Sequence, residues 1–172
     1  VAMAPKDGKE LEEMLKFALK LDKPTAFRYP KSAIPDGFYP FSPLELGKAE
    51  VLRDGKDTVI IALGSMVLPS LQAAEILEKE GKAVSVINSR FVKPLDIDLL
   101  KDISKSAKFI FTVEEGILEG GFGSAVAEVL NMPVYRLGLP SKFIPHGKRE
   151  LLLEKYGLTA EGIARSIKQW LR

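Results

Sequence analysis

The chain contains no cysteine and a single histidine, His146. The first absence excludes disulfides, thiolate nucleophiles and cysteine-ligated metals. One histidine cannot build a histidine-rich metal site. No apolar run approaches the roughly 18–20 residues needed to span a bilayer. The opening stretch VAMAPKDGKELEEML has neither the basic head nor the apolar segment of a secretory signal. A cytoplasmic protein is therefore the default expectation. An excess of charge of one sign is also missing. Lys and Arg number 25 against 23 Asp and Glu, for a formal net charge of +2. That is too little to argue for nucleic acid or an anionic membrane. What is present is an ordinary globular composition, 46% hydrophobic and 28% charged over 172 residues. This suffices for one domain with an extra piece.

The spacing predicts an amphipathic helix over 5–21, with Asp7 as N-cap and Glu10 placed as in a capping box. Leu11, Met14, Leu15, Ala18 and Leu19 give its apolar face. A short strand follows at Thr25 to Tyr29, closed by Pro30. Residues 31–45 are rich in proline and read as a linker. A helix and one strand cannot bury themselves, so 1–30 reads as the end of a preceding domain. With a start at Val1, this points to a chain cut from something longer.

After the linker, strands are expected at 49–53, 58–63, 83–88, 109–113 and 134–137. Helices are expected at 67–80, 97–104, 123–130, near 148–155 and at 160–171. The run TVIIAL is continuously apolar, as suits a strand covered on both faces. Alternating strands and helices predict an α/β domain with a mostly parallel five-stranded sheet between helical layers. A turn at Asp54-Gly55 predicts a hairpin whose first strand forms an antiparallel edge.

Several residues carry chemical potential. Gly120, Gly121 and Gly123 open a helix and could present N–H groups to a phosphate, but the run fits neither the Walker nor the Rossmann pattern. Tight packing is the better reading. Glu114 and Glu115 could split their pKa values, yet neighbours in a strand point apart, so a buried salt bridge or an interface contact is favoured. Arg90, in RFVKPLD, could clamp an anion, tie loops together or pair with Glu114. A structural role is favoured, with Asp96 as a helix N-cap. His146 has no identifiable partner for a triad and reads as a capping or interface residue. Arg28, at the carboxyl end of a strand, stands where α/β sheets bind ligands, and its planar fork suits a phosphate, with a domain-packing salt bridge as the equal alternative.

Taken as a set, MAPKDGKELEEML, FRYPKS, LELGKAEVLRDG, SRFVKPLD, TVEEGILEGGFGSAV, LGLPSKFIPHG and LTAEGIARSIKQWL resemble the carboxyl end of the transketolase-like 1-deoxy-D-xylulose-5-phosphate synthases. The resemblance implies a three-layer αβα transketolase C-terminal domain over 46–172, a linker over 31–45, and the end of a pyrimidine-binding domain over 1–30. It implies a homodimer that joins pyruvate to glyceraldehyde 3-phosphate with loss of CO2. Thiamine diphosphate and Mg2+ would be bound by segments absent from this chain, so the chain alone would be inactive. Arg28 would recognise the acceptor's phosphate, although Lys31 replaces the second arginine of the family's RYPRG. The strand–PLD–TVEE pattern is shared with β subunits of 2-oxo-acid dehydrogenases, which remain an alternative beside a non-catalytic dimerisation module.

Overall fold

The computed structural model describes residues 1–33 and 41–171, so part of the expected linker over 31–45 lies outside the described residues. A five-stranded sheet forms the centre. Its strands are β3 (Glu50–Arg53), β4 (Thr58–Ala62), β5 (Val84–Asn88), β7 (Phe109–Ile117) and β8 (Val134–Leu139), in the order β3-β5-β4-β7-β8. All neighbouring pairs are parallel except β3 with β5.

The apolar runs follow from two-sided burial. In β4, Ile60 and Ala62 enter one core while Val59 and Ile61, with Leu63 just past the strand, enter the other. Successive side chains of a strand leave opposite faces, so a strand covered on both sides needs an apolar residue at every position. The first core is closed by α2 (Val67–Glu78) and α6 (Ala160–Lys168), which pack on each other. The second is closed by α3 (Ile97–Ser104) and α4 (Phe122–Val129). The result is the expected three-layer αβα arrangement.

Helix ends obey local chemistry. Asp96 accepts the Leu99 N–H at 3.2 Å and caps α3. Its other oxygen takes the Ala49 N–H at 3.1 Å, tying the entry to β3 to this helix. Gly81 ends α2 with a φ of 77°, a left-handed conformation that glycine adopts without strain.

Two expectations are corrected. β3 is an antiparallel edge strand, but it pairs with β5, with Glu50 opposite Asn88, and forms no hairpin with β4. The Asp54-Gly55 segment crosses the start of β5. The Gly55 N–H donates to Ser85 Oγ at 2.8 Å, and a Cβ there would lie 2.3 Å from the Ser85 nitrogen. The carboxyl half of β7 also continues past Val113. Its register with β8 shifts between Val113 and Ile117, so Glu114 to Gly116 lie in an irregularity within the strand rather than beyond its end.

A second, three-stranded sheet runs β2-β1-β6, from β1 (Ala2–Met3), β2 (Ala26–Phe27) and β6 (Phe91–Lys93). Helix α1 (Gly8–Ala18) links β1 to β2, with Asp7 accepting the Glu10 N–H at 2.8 Å. β1 pairs parallel with β2 and antiparallel with β6. Met3, Met14 and Phe91 form a small core beneath. The Ala4 N–H donates to the Arg90 carbonyl at 2.9 Å, and the Arg28 N–H to the Met3 carbonyl at 2.9 Å. Arg28 is thus fixed relative to the large sheet through β1 and β6.

Candidate functional site

The site lies at the carboxyl ends of β4 and β7, where strand-to-helix turns leave a crevice in α/β sheets. A cleft of about 130 Å³ is lined by Ala4, Arg28, Tyr29, Leu63, Ser65 and Glu115 among others. It shares Tyr29, Pro30 and Ser65 with a larger cleft of about 400 Å³. Arg28 is exposed, and among the described residues its side chain makes no hydrogen bond or salt bridge. It therefore offers an open guanidinium fork.

The irregularity in β7 aims the two glutamates differently. Glu114 is buried and faces the start of α4, where it accepts the N–H groups of Phe122 at 2.9 Å and Gly123 at 2.8 Å. The glycines make room for it: a Cβ on Gly121 would fall 2.7 Å from Glu114 Oε2. The α4 N-terminus is thus occupied by an internal carboxylate instead of standing open to a phosphate. Among the described residues Glu114 pairs with no arginine, so the salt bridge expected of this pair of glutamates forms at Glu115 and not at Glu114, and Arg90 has other partners. Glu114→Ala strands two buried N–H groups and removes two charge-assisted bonds, at a cost of about 3 kcal/mol. Chemical denaturation checks this, and a loss below about 1 kcal/mol would refute the capping role.

Glu115 turns toward the cleft. It accepts Ser65 Oγ at 2.7 Å and Arg149 Nε at 2.7 Å, with Arg149 Nη2 closing a two-pronged contact. Burial pushes its carboxyl up, but the Arg149 and Ser65 hydrogen bonds and the charges of Arg149 and Arg28 outweigh that and hold it below the usual glutamate value. Neither Ser65 nor Arg149, which opens α5 (Arg149–Lys155), was marked by the sequence pattern. Arg149 lies 34 positions from Glu115, and no local motif connects them.

Arg90 anchors a buried polar network. Its Nε donates to Glu10 Oε1 at 2.8 Å, and its Nη2 lies 3.0 Å from Glu50 Oε2 and 3.0 Å from the Ser42 carbonyl. Lys6 Nζ stands 3.4 Å from both Glu10 and Glu50. The Asn88 amide donates to Glu10 Oε1 at 2.9 Å. Burial raises the Glu50 carboxyl, while the Ser42 hydroxyl, Arg90, Lys6 and Asn88 outweigh it and hold it low. Arg90 therefore ties segments together, one of its expected roles. Glu10 caps less than expected, because its carboxylate accepts the Lys6 N–H at 2.7 Å, one residue before the N-cap, and faces inward. The signal was available: Glu10 stands four residues before Met14, on the helix face that is buried.

His146 is exposed in the loop after β8, and Lys148 holds the N-cap position of α5, so His146 is not its cap. No group of three or more His, Asp or Glu side chains among the described residues could hold a metal ion. With the α4 N-terminus taken by Glu114, the described residues do not fit a diphosphate–Mg2+ site. Among the described residues, no helix is long and apolar enough to cross a membrane.

Comparison with known proteins agrees with this architecture. Residues 47–163 match the model of the transketolase C-terminal domain. The chain is 46% identical to the 1-deoxy-D-xylulose-5-phosphate synthase of Pelotomaculum thermopropionicum, across 97% of this chain and 28% of that protein. It is 47% identical to the synthase of Caldanaerobacter subterraneus subsp. tengcongensis, across 97% of this chain and 28% of that protein. It thus spans little more than a quarter of the length of these relatives. Among solved structures, a split-gene transketolase described as an inactive β4 tetramer superposes with a TM-score of 0.91 at 35% identity, covering 98% of this chain and 56% of that one. On the match over 47–163 and on the fold, this chain belongs to the transketolase C-terminal domain family.

Proposed function

We propose that this chain is the carboxyl-terminal part of a 1-deoxy-D-xylulose-5-phosphate synthase. The whole protein would join pyruvate to glyceraldehyde 3-phosphate with release of CO2, as a cytoplasmic homodimer. Residues 1–30 would end its pyrimidine-binding domain, 31–45 link, and 46–172 form the C-terminal domain. Thiamine diphosphate would supply the carbanion chemistry, held with Mg2+ by other parts of the polypeptide. This chain would contribute Arg28, whose fork binds the phosphate of the acceptor and orients its aldehyde.

The observation that carries this reading is the near-complete coverage of the chain by synthases 46% and 47% identical to it. The open guanidinium of Arg28 in its cleft supports the assigned role. The inactive split-gene relative supports an inactive isolated chain.

The test supplies the full-length protein with thiamine diphosphate, Mg2+, pyruvate and glyceraldehyde 3-phosphate. CO2 and the deoxysugar phosphate are expected in equal amounts, and the 172-residue chain alone should form neither. CO2 release that needs a lipoyl acceptor and yields no sugar would replace this reading with a dehydrogenase subunit.

A further inference from the structure

The cleft that holds Arg28 also holds a carboxylate, and this creates a specificity problem. Glu115 lines the same cleft and feels the charge of Arg28. Left alone, it would repel a phosphate and attract the guanidinium that is meant to receive one. Arg149 engages both Glu115 oxygens, Nε on Oε1 and Nη2 on Oε2, while Ser65 adds a bond to Oε2. Both partners are partly shielded, at 28% exposure for Arg149 and 22% for Glu115, so screening by water is reduced.

Glu114 is buried and spends its oxygens on the start of α4. Lys6, Asp7 and Lys31 line the adjoining larger cleft, and Glu150 follows Arg149 on α5. With Glu115 neutralised, Arg28 is the unpaired charge that faces the smaller cleft among the described residues.

We propose that Arg149 is a specificity-determining positioning residue: by holding both oxygens of Glu115, it keeps Arg28 free for a phosphorylated acceptor. The inference rests on the phosphate-binding reading of Arg28. Arg149 itself touches no reacting atom and acts through Glu115. Its loss would leave a carboxylate beside Arg28 with only Ser65 on it. The guanidinium would then close onto Glu115, and incoming phosphate would have to displace it.

The experiment uses the full-length holoenzyme and two acceptors, glyceraldehyde 3-phosphate and unphosphorylated glyceraldehyde. Arg149→Ala is expected to raise KM for the phosphorylated acceptor about tenfold, with kcat and the KM for glyceraldehyde little changed. Adding Glu115→Gln to Arg149→Ala should restore most of the lost affinity, because the competing charge is gone. A purely structural role predicts the opposite, since the double variant would then be no better than the single one. Equal losses with both acceptors, or no rescue in the double variant, would overturn the proposal. Arg28→Ala is run alongside. If it spares the preference for the phosphorylated acceptor, the phosphate reading falls and this inference with it. If it abolishes that preference while Arg149→Ala changes nothing, only this inference fails.

Discussion

Arg90→Met should lower the unfolding free energy by about 3–5 kcal/mol, shifting Tm down by about 10 °C. The guanidinium is 2% exposed and sits between two buried carboxylates, Glu10 and Glu50. Methionine fills similar volume, so the loss is not one of packing. It comes from leaving two buried anions with Lys6 as their remaining cation, at 3.4 Å from each. The Asn88 and Ser42 bonds persist but are too weak to replace a charge. Adding Glu10→Gln to Arg90→Met removes one stranded anion, so the double variant should recover part of the loss. Urea denaturation of each variant measures this. A loss under about 1 kcal/mol would mean that the network contributes little and that β1 and α1 are held by the small Met3, Met14 and Phe91 core instead.

Arg28→Ala should raise KM for the phosphorylated acceptor roughly 150-fold, the equivalent of about 3 kcal/mol in charged hydrogen bonds. KM for unphosphorylated glyceraldehyde should stay within about threefold, because no charge is lost from that complex. Arg28 follows β2, is fixed by its N–H bond to the Met3 carbonyl, and opens into a cleft with no partner on its guanidinium among the described residues. Lys in its place should recover only part of the effect, since an ammonium cannot present two parallel donors. Stability should barely change, because an exposed and unpaired side chain contributes little to folding. An equal loss with both acceptors would show that Arg28 shapes the cleft without reading the phosphate.

Much of the large sheet was legible because burial on two faces writes itself into sequence. TVIIAL reads as a central strand for that reason, and β4 lies between β5 and β7. Helix starts were legible where a side chain bonds its own backbone, as at Asp7 and Asp96. The partner of β3 was not legible. A Asp-Gly turn before an apolar strand looks like a hairpin, yet β5 inserts between the two strands from 30 residues away, at the Gly55–Ser85 contact. The extent of β7 was hidden because two glutamates and a glycine resemble a strand end. They remain in the strand because one carboxylate is satisfied by helix N–H groups and the other by Arg149.

The site divides along the same line. Arg28 was legible as a lone arginine at the end of a strand, with the resemblance giving it a role. The Glu115, Ser65 and Arg149 cluster was not, since it joins three elements distant in sequence. Arg90 was legible only as structural. Its partners Glu10 and Glu50 lie 80 and 40 positions away, and only folding brings them together.

A crystal structure of the full-length holoenzyme with glyceraldehyde 3-phosphate bound is the most direct test of the role proposed for Arg28. Phosphate oxygens are expected about 2.8 Å from the Arg28 guanidinium nitrogens, with Glu115 still held by Arg149. A phosphate bound elsewhere, with Arg28 facing solvent or paired with Glu115, would contradict that role.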